Sequence, residues 1–370
     1  MSSSLSCETM AIKRRKTKVI KIGNVSIGWH YPIAVQSMAK THTKNISRTL
    51  KQIKSAQEEG VHLIRVAVKD KQDAHAIGEI RANIDIPLIA DIHFDYRLAL
   101  LAIASGADKI RLNPGNIYKE KEISQIASSA KERGIPIRVG VNSGSLSRGS
   151  AKGASGLVKS ALNFVKMLEK LKFYDIVISL KSSNLLETVE ANRQIASKVN
   201  YPLHLGVTAT GLAEVGYIKS AICLGMLLAD GIGDTIRISL TADPAQEVRA
   251  AKRILAALDI GNAIDVIACP TCGRCEVDLI HIVKDLEKEI KTFSPSLDVG
   301  QEPLRVALMG CVVNGPGEAK CADLGLAFGR DYGLFFKKGK PVKKVQQDKA
   351  AKFLIAEIKK CYLKSGGNDA

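Results

Sequence analysis

The stretch "PLIADIHFDYRLALLAIASGADKIRLN", residues 87–113, contains the repeating unit of the fold. Two short apolar runs, "PLIADIHF" (87–94) and "KIRLN" (109–113), flank "DYRLALLAIASG", which reads as a helix closing on Gly106. A strand, a helix and a second strand at this spacing make one βαβ unit of a parallel sheet. The pattern recurs in "PIAVQSM" (32–38), "HLIRVAV" (62–68), "IPIRVGVN" (135–142), "DIVISLKSS" (175–183), "PLHLGVT" (202–208) and "TIRISLT" (235–241), eight runs in all. Helices fit the gaps: "NISRTLKQIKSAQEEG" opens on an Asn cap and closes on Gly60, and "DPAQEVRAAKRILAAL" supplies the last. Eight such units predict an α/β fold, a (β/α)8 TIM-type barrel. An open doubly wound sheet is the alternative, but no glycine-rich fingerprint follows the first run.

A second unit begins near Gly261. "DVIAC" and "LRVALMG" read as strands, "EVDLIHIVKDLEKEIKTF" as an amphipathic helix, "LGLAFGRDYGLFFKKGKPVKKV" as a β-hairpin and "QQDKAAKFLIAEIKKCYL" as a closing helix. The expected organisation is an N-terminal tail and hairpin (1–31), a barrel (32–260) and a small α+β domain (261–370).

Polar residues interrupt the barrel runs near their C-terminal ends. They are Gln36, Ser37, Arg65, Asp91, His93, Arg111, Asn113, Arg138, Asn142, Lys181, His204, Thr208, Arg237 and Ser239. Barrel strands are covered on both faces and read as apolar, and barrel active sites lie at strand C-termini. One such residue would be structural. Several from different strands are costly to bury unless they serve a ligand. Arg65, Arg138, Lys181 and Arg237 together predict a cationic mouth suited to a phosphate or diphosphate.

Five of the eight cysteines fall between residues 269 and 321. Such clustering points to metal or redox chemistry. "CPTCG" alone is a common metal knuckle, but a zinc ribbon needs a second C-x-x-C, and Cys311 and Cys321 are separated by nine residues. Cys269, Cys272 and Cys275 with a remote Cys311 have ferredoxin-like spacing. Cys275, at a helix start, also reads as a buried thiol. In "GCVVNGPGEA", Glu318 is either a surface turn residue or a hard, displaceable oxygen ligand. Spacing leaves these readings open.

Hydrophobic residues make up 46% and charged residues 25% of the 370, a globular balance, and no apolar run reaches membrane-spanning length. The basic N-terminus lacks the apolar core of a secretory signal, so a cytoplasmic protein is expected. The net charge of +17 suits a polyanionic substrate or an acidic protein partner. Nucleic acid is not expected: aromatic residues are only 5%, which leaves little for base stacking.

Taken together, "PIAVQSM", "ADIHFDYRLAL", "DKIRLNPGN", "RVGVNSGSL", "ISLKSS", "LHLGVT", "GIGDTIRISLTADP", "CPTCGR" and "GCVVNGPGEA" make the chain resemble the 4-hydroxy-3-methylbut-2-enyl diphosphate synthases, over about residues 17–360 and in their compact, bacterial form. The resemblance implies a barrel that binds 2-C-methyl-D-erythritol 2,4-cyclodiphosphate and a C-terminal domain carrying a [4Fe–4S] cluster. It places the cluster ligands on Cys269, Cys272, Cys311 and Glu318. Diphosphate binding falls on Arg138, Asn142, Lys181, Arg237 and Ser239, with Arg65, Asp91, His93, Asn113 and His204 lining the same mouth. Asp91 and His93 would orient the polyol or donate protons. A head-to-tail homodimer and electrons from reduced flavodoxin or ferredoxin are also implied. The chain departs from the family twice: Cys275 stands where a non-cysteine is usual, and Ala209 where a glutamate follows "HLGVT".

Overall fold

The computed structural model describes residues 12–146, 153–208, 210–261, 264–293, 303–312 and 319–365. The chain forms two compact units that divide between Leu258 and Asp259.

The first unit opens with an antiparallel hairpin, β1 (Ile20–Ile22) and β2 (Val25–Ile27). Eight parallel strands follow: β3 (Ala34–Met38), β4 (Leu63–Val68), β5 (Leu88–Ile92), β6 (Lys109–Leu112), β7 (Ile137–Asn142), β8 (Ile176–Lys181), β9 (His204–Leu205) and β10 (Thr235–Ile236). They hydrogen-bond in the order β8-β7-β6-β5-β4-β3-β10-β9, and a parallel bridge from Ile178 to Leu203 closes the ring. This is the TIM-type barrel expected from the eight apolar runs. Helices α1 (Ile46–Glu58), α2 (Lys71–Ala82), α3 (Tyr96–Ala104), α4 (Glu120–Arg133), α5 (Gly153–Lys170), α6 (Leu185–Ala196), α7 (Ala213–Ala229) and α8 (Pro244–Ala256) alternate with the strands.

Local chemistry sets the helix ends. The side chains of Asn45, Asp70, Asp95, Asn184 and Asp243 each accept a backbone N–H from the first turn of the helix they precede. Each such cap contributes about 1 kcal/mol. Because these helices follow strand C-termini, the caps also fix where the mouth loops stop. The buried Asp73 carboxylate ties two of those loops together, accepting from Lys44 N at 2.9 Å and Lys69 N at 3.1 Å. Gly106 closes α3 at φ +100°, a conformation that other residues adopt only under strain.

The floor of the barrel is apolar. Ile20, Ile22 and Ile27 of the hairpin pack on Ala34, Leu63, Ile89 and Val177, which point inward from β3, β4, β5 and β8. The hairpin therefore plugs the end of the barrel opposite the mouth.

The second unit is a five-stranded mixed sheet, β11 (Ile264–Ala268), β12 (Leu304–Met309), β13 (Leu324–Phe328), β14 (Tyr332–Lys337) and β15 (Lys340–Gln346), with α9 (Leu279–Phe293) and α10 (Gln347–Ser365). The first three strands are parallel and the last three antiparallel. The segment expected to be one hairpin is a three-stranded meander. It contains two glycine-bearing turns, at Gly329 and at Lys338–Gly339, and the second has two residues at positive φ, the geometry that joins tightly twisted strands. Lysines and Pro341 on the exposed edge strand β15 blunt it against further pairing.

Ile22→Ala removes a fully buried plug residue. The expected cost is about 2–5 kcal/mol, read as a lower urea midpoint with unchanged slope. An unchanged midpoint would show that the plug does not hold the barrel together.

Candidate active site

Strand alternation aims one set of side chains into the barrel. Arg65 comes from β4, Asp91 from β5, Lys109 and Arg111 from β6, with Asn113 just beyond it, and Arg138 and Asn142 from β7. Lys181 comes from β8, His204 from β9, and Arg237 follows β10. Register sets several of them side by side, with Asp91 opposite Arg111 and Arg111 opposite Arg138. Asn142 lies opposite Lys181. Ser239 lies two residues beyond Arg237, and its carbonyl accepts from the Thr210 hydroxyl.

Asp91 is the hub. Its carboxylate lies 3.2 Å from Arg111 Nη1, 3.8 Å from Arg65 Nε and 3.4 Å from His93 Nε2. Burial alone would raise its pKa. The charge of Arg65, the His93 hydrogen bond and the charges of Arg111 and Arg138 outweigh it and hold the carboxyl far below its usual range, so Asp91 stays ionised. Gly140 makes the arrangement possible: a Cβ there would lie 2.5 Å from Arg111 Nε, and its carbonyl accepts from Arg111 Nη2 at 3.0 Å. Gly206 clears room for Lys181 in the same way, since a Cβ there would lie 2.6 Å from Lys181 Nζ.

The remaining cations are poorly compensated. Burial first, and then the charges of neighbouring arginines, push Lys109, Arg138 and Lys181 well below their ordinary pKa values. Burial with Arg138 and Lys181 nearby does the same to His204. A neutral His204 accepts from Lys181 Nζ at 3.4 Å through Nε2, and its Nδ1 lies 2.8 Å from the Thr235 hydroxyl. Arg138 Nε and Nη1, Lys109 Nζ, Arg111 Nε, Arg237 Nε and both ends of the Gln36 amide are buried with no hydrogen-bond partner among the described residues. Unmade hydrogen bonds on this scale are costly to bury, and the unpaired N–H donors among them suit an anionic ligand.

Most of the residues expected from the sequence meet in this interior: Arg65, Asp91, Arg138, Lys181, His204 and Arg237. His93 sits half-exposed at the rim, and Asn113 is held there by Ser145, whose hydroxyl accepts from Asn113 Nδ2 at 2.9 Å. Two residues of this charged network escaped the sequence reading. Lys109 stands at the first position of its strand rather than the last. Glu247 lies on α8, yet its buried carboxylate passes between the strands to Lys40 Nζ (3.0 Å), Ser37 Oγ (2.9 Å) and Arg237 Nε (3.6 Å). A Glu in the first turn of an amphipathic helix gives no signal of this.

In the second unit, Cys269 follows β11 and Cys311 follows the neighbouring β12, so parallel pairing brings their loops together. Thr271, at φ +60°, turns the chain between Cys269 and Cys272. Gly310 N donates to Cys269 Sγ at 3.2 Å, and a Cβ on Gly310 would lie 2.4 Å from Cys275 Sγ. Cys275 packs against the apolar core and donates to Val277 O at 3.2 Å. Cys269, Cys272, Cys275 and Cys311 are all free thiols. Soft thiols on adjacent strand ends, one receiving a backbone N–H, fit an iron–sulfur cluster in donor chemistry. Among the described residues no three such side chains already stand at metal-binding spacing. Glu318 and Ala209 lie outside the described residues. Among those described, no helix is long and apolar enough to cross a membrane.

Fold and site together define a parallel-barrel enzyme with a cation-rich interior and a cysteine-bearing second domain. The chain belongs to the GcpE family: the GcpE TIM-barrel domain matches residues 17–252 and the GcpE protein C-terminal domain residues 265–360. It is 53% identical to the 4-hydroxy-3-methylbut-2-en-1-yl diphosphate synthase (flavodoxin) of Caldanaerobacter subterraneus subsp. tengcongensis, over 94% of this chain and 98% of that protein. It is 49% identical to the enzyme of the same name from Clostridium tetani, over 94% and 99%. Among solved structures, dihydropteroate synthase from Stenotrophomonas maltophilia superposes with a TM-score of 0.51 at 14% identity, covering 65% of this chain and 97% of that one. That likeness shows the barrel fold alone.

An anion in the barrel favours the charged forms of Lys109, Lys181 and His204, so its binding draws protons into the protein. For the lysines the window opens downward from their usual pKa of about 10.4, and affinity falls as pH rises through it. Titration calorimetry with sulfate, an anion that carries no titratable proton at pH 8, in buffers of different ionisation enthalpy, is expected to show net proton uptake. Zero uptake would show that these groups are already charged or do not meet the anion.

Proposed function

We propose that the protein reductively opens 2-C-methyl-D-erythritol 2,4-cyclodiphosphate to 4-hydroxy-3-methylbut-2-enyl diphosphate, in the non-mevalonate route to isoprenoid precursors. The observation that carries the reading is the set of unpaired donors on Lys109, Arg111 and Arg138, buried in a barrel whose relatives are named for a diphosphate product. Two electrons enter, the ring carbon–oxygen bond to the diphosphate breaks, and a hydroxyl takes a proton and leaves as water.

Arg138, Asn142, Lys181, Arg237 and Ser239 hold the diphosphate, with Arg65, Asn113 and His204 around the rest of the ligand. Fixed positive charge there stabilises the departing diphosphate more than the intact ring, which is the condition for faster cleavage. Glu247 and Asp91 orient Arg237 and Arg111 from behind. Asp91 is held ionised, so it orients cations and polyol and leaves proton delivery to His93 at the rim.

Cys269, Cys272, Cys311 and Glu318 would hold a [4Fe–4S] cluster, which supplies single electrons to the bound ring. A carboxylate ligand among thiolates is the most readily displaced of the four. Cys275, turned to its own core and to Val277 O, is outside this ligand set. Reduced flavodoxin is the electron donor favoured by the relatives' names, with ferredoxin the other candidate. Either is acidic, and a chain of net charge +17 steers an acidic carrier toward it. The barrel (32–260), preceded by the tail and hairpin (1–31), binds the substrate and 261–370 carry the electrons, with two chains paired head to tail in a homodimer. Thiolate ligands and a low-potential donor fit the reducing cytoplasm.

Mössbauer spectroscopy of protein reconstituted with iron-57 without oxygen is expected to show a [4Fe–4S] cluster with one distinct iron site that shifts when the cyclodiphosphate is added. Four thiolate-like sites unmoved by substrate would reject Glu318 as a ligand and bring in Cys275. Arg138→Ala is expected to weaken cyclodiphosphate binding by at least tenfold, and unchanged affinity would remove the diphosphate cradle.

A further inference from the structure

The polar interior extends deeper than the strand ends. Lys109 opens β6, and alternation places it on the same inward face as Arg111 and Asn113. It is fully buried, and its Nζ has no hydrogen-bond partner among the described residues. Its register partner on β5 is Ile89, a member of the apolar floor. The charges acting on it are those of Arg138 and Arg65, both positive. Lys181, the other buried lysine of the ring, at least reaches His204. Gln36 on β3, also inside the ring, leaves both ends of its amide unpaired.

A buried lone ammonium costs several kcal/mol, and an apolar side chain of the same length would relieve that cost. Neither the floor nor the neighbouring cations offer Lys109 an acceptor, so fold stability gives no reason for its presence. The barrel opens toward the mouth, and an anion bound there would supply the acceptor.

We propose that Lys109 is a further substrate-binding residue, whose ammonium takes a phosphate oxygen of the bound diphosphate from the floor side of the barrel. This rests on the functional reading above. In the free protein, burial and the nearby arginines favour neutral Lys109, which lowers the cost of keeping it there. Arrival of the diphosphate restores its charge.

The test is Lys109→Met in the full-length protein, titrated calorimetrically with inorganic diphosphate and with the cyclodiphosphate. Expected are an affinity at least tenfold weaker, a smaller proton uptake than wild type, and a thermal midpoint equal or higher. Wild-type affinity and wild-type proton uptake in the variant would overturn the proposal while leaving the functional reading intact. Failure of the wild-type protein to bind either diphosphate would instead overturn that reading, and this proposal with it. If Lys109→Met does not fold, Lys109→Gln is measured in the same way. Loss of the fold in both would make Lys109 a structural residue and reject its role in binding.

Discussion

Uncompensated positive charge inside a closed barrel is the constraint on which the rest of this molecule depends. Arg65, Lys109, Arg111, Arg138, Lys181 and Arg237 share one interior, and the carboxylates that reach them are Asp91 and Glu247. Left alone, such a set would repel and unfold. Several devices hold it. Asp91 is gripped by two arginines and a histidine. Glu247 crosses from the helix layer to anchor Arg237. Gly140 and Gly206 withhold side chains so that Arg111 and Lys181 can lie flat. Burial favours the neutral forms of the two lysines. The protein accepts a less stable core in return for a site that is organised before its ligand arrives, the usual trade at an active site.

The second unit works under a different constraint. Its cysteine loops hang from the ends of two parallel strands, so hydrogen-bonded pairing of β11 and β12 sets their spacing. Gly310 sits between two of these thiols, and a side chain there would displace Cys275, whose Sγ would lie 2.4 Å from its Cβ. The sheet then reverses direction through two tight turns, which lets α9 and α10 cover an apolar core that includes Leu308, Leu326 and Phe328.

Much of this was legible in the sequence. The eight barrel strands announce themselves because parallel strands covered on both faces are short, apolar and β-branched, and Asn45 and Gly106 bracket helices as their chemistry demands. The polar strand ends were legible for the same reason, since a charge within an apolar run stands out. Lys109 did not, because the first residue of a strand is normally a solvated edge and only the ring geometry turns it inward. Glu247 was hidden by looking like any helical glutamate. The meander was read as one hairpin because apolar alternation marks strands without counting them. The cysteine spacing admitted several metals, and the family resemblance, not the spacing, separated them.

The plug formed by β1 and β2 has a consequence for how the chain folds. Its three isoleucines come early in sequence, but one of their partners, Val177, lies in β8, about 150 residues later. During synthesis at roughly 5–20 residues per second, the hairpin leaves the ribosome many seconds before its binding surface is complete. Ala34, Leu63 and Ile89 are available to it earlier, but a hairpin cannot bury its apolar face by itself. Contacts of such long sequence separation slow folding. The surface that receives this hairpin is therefore complete only after β8 has been made, and with it the floor beneath the charged interior.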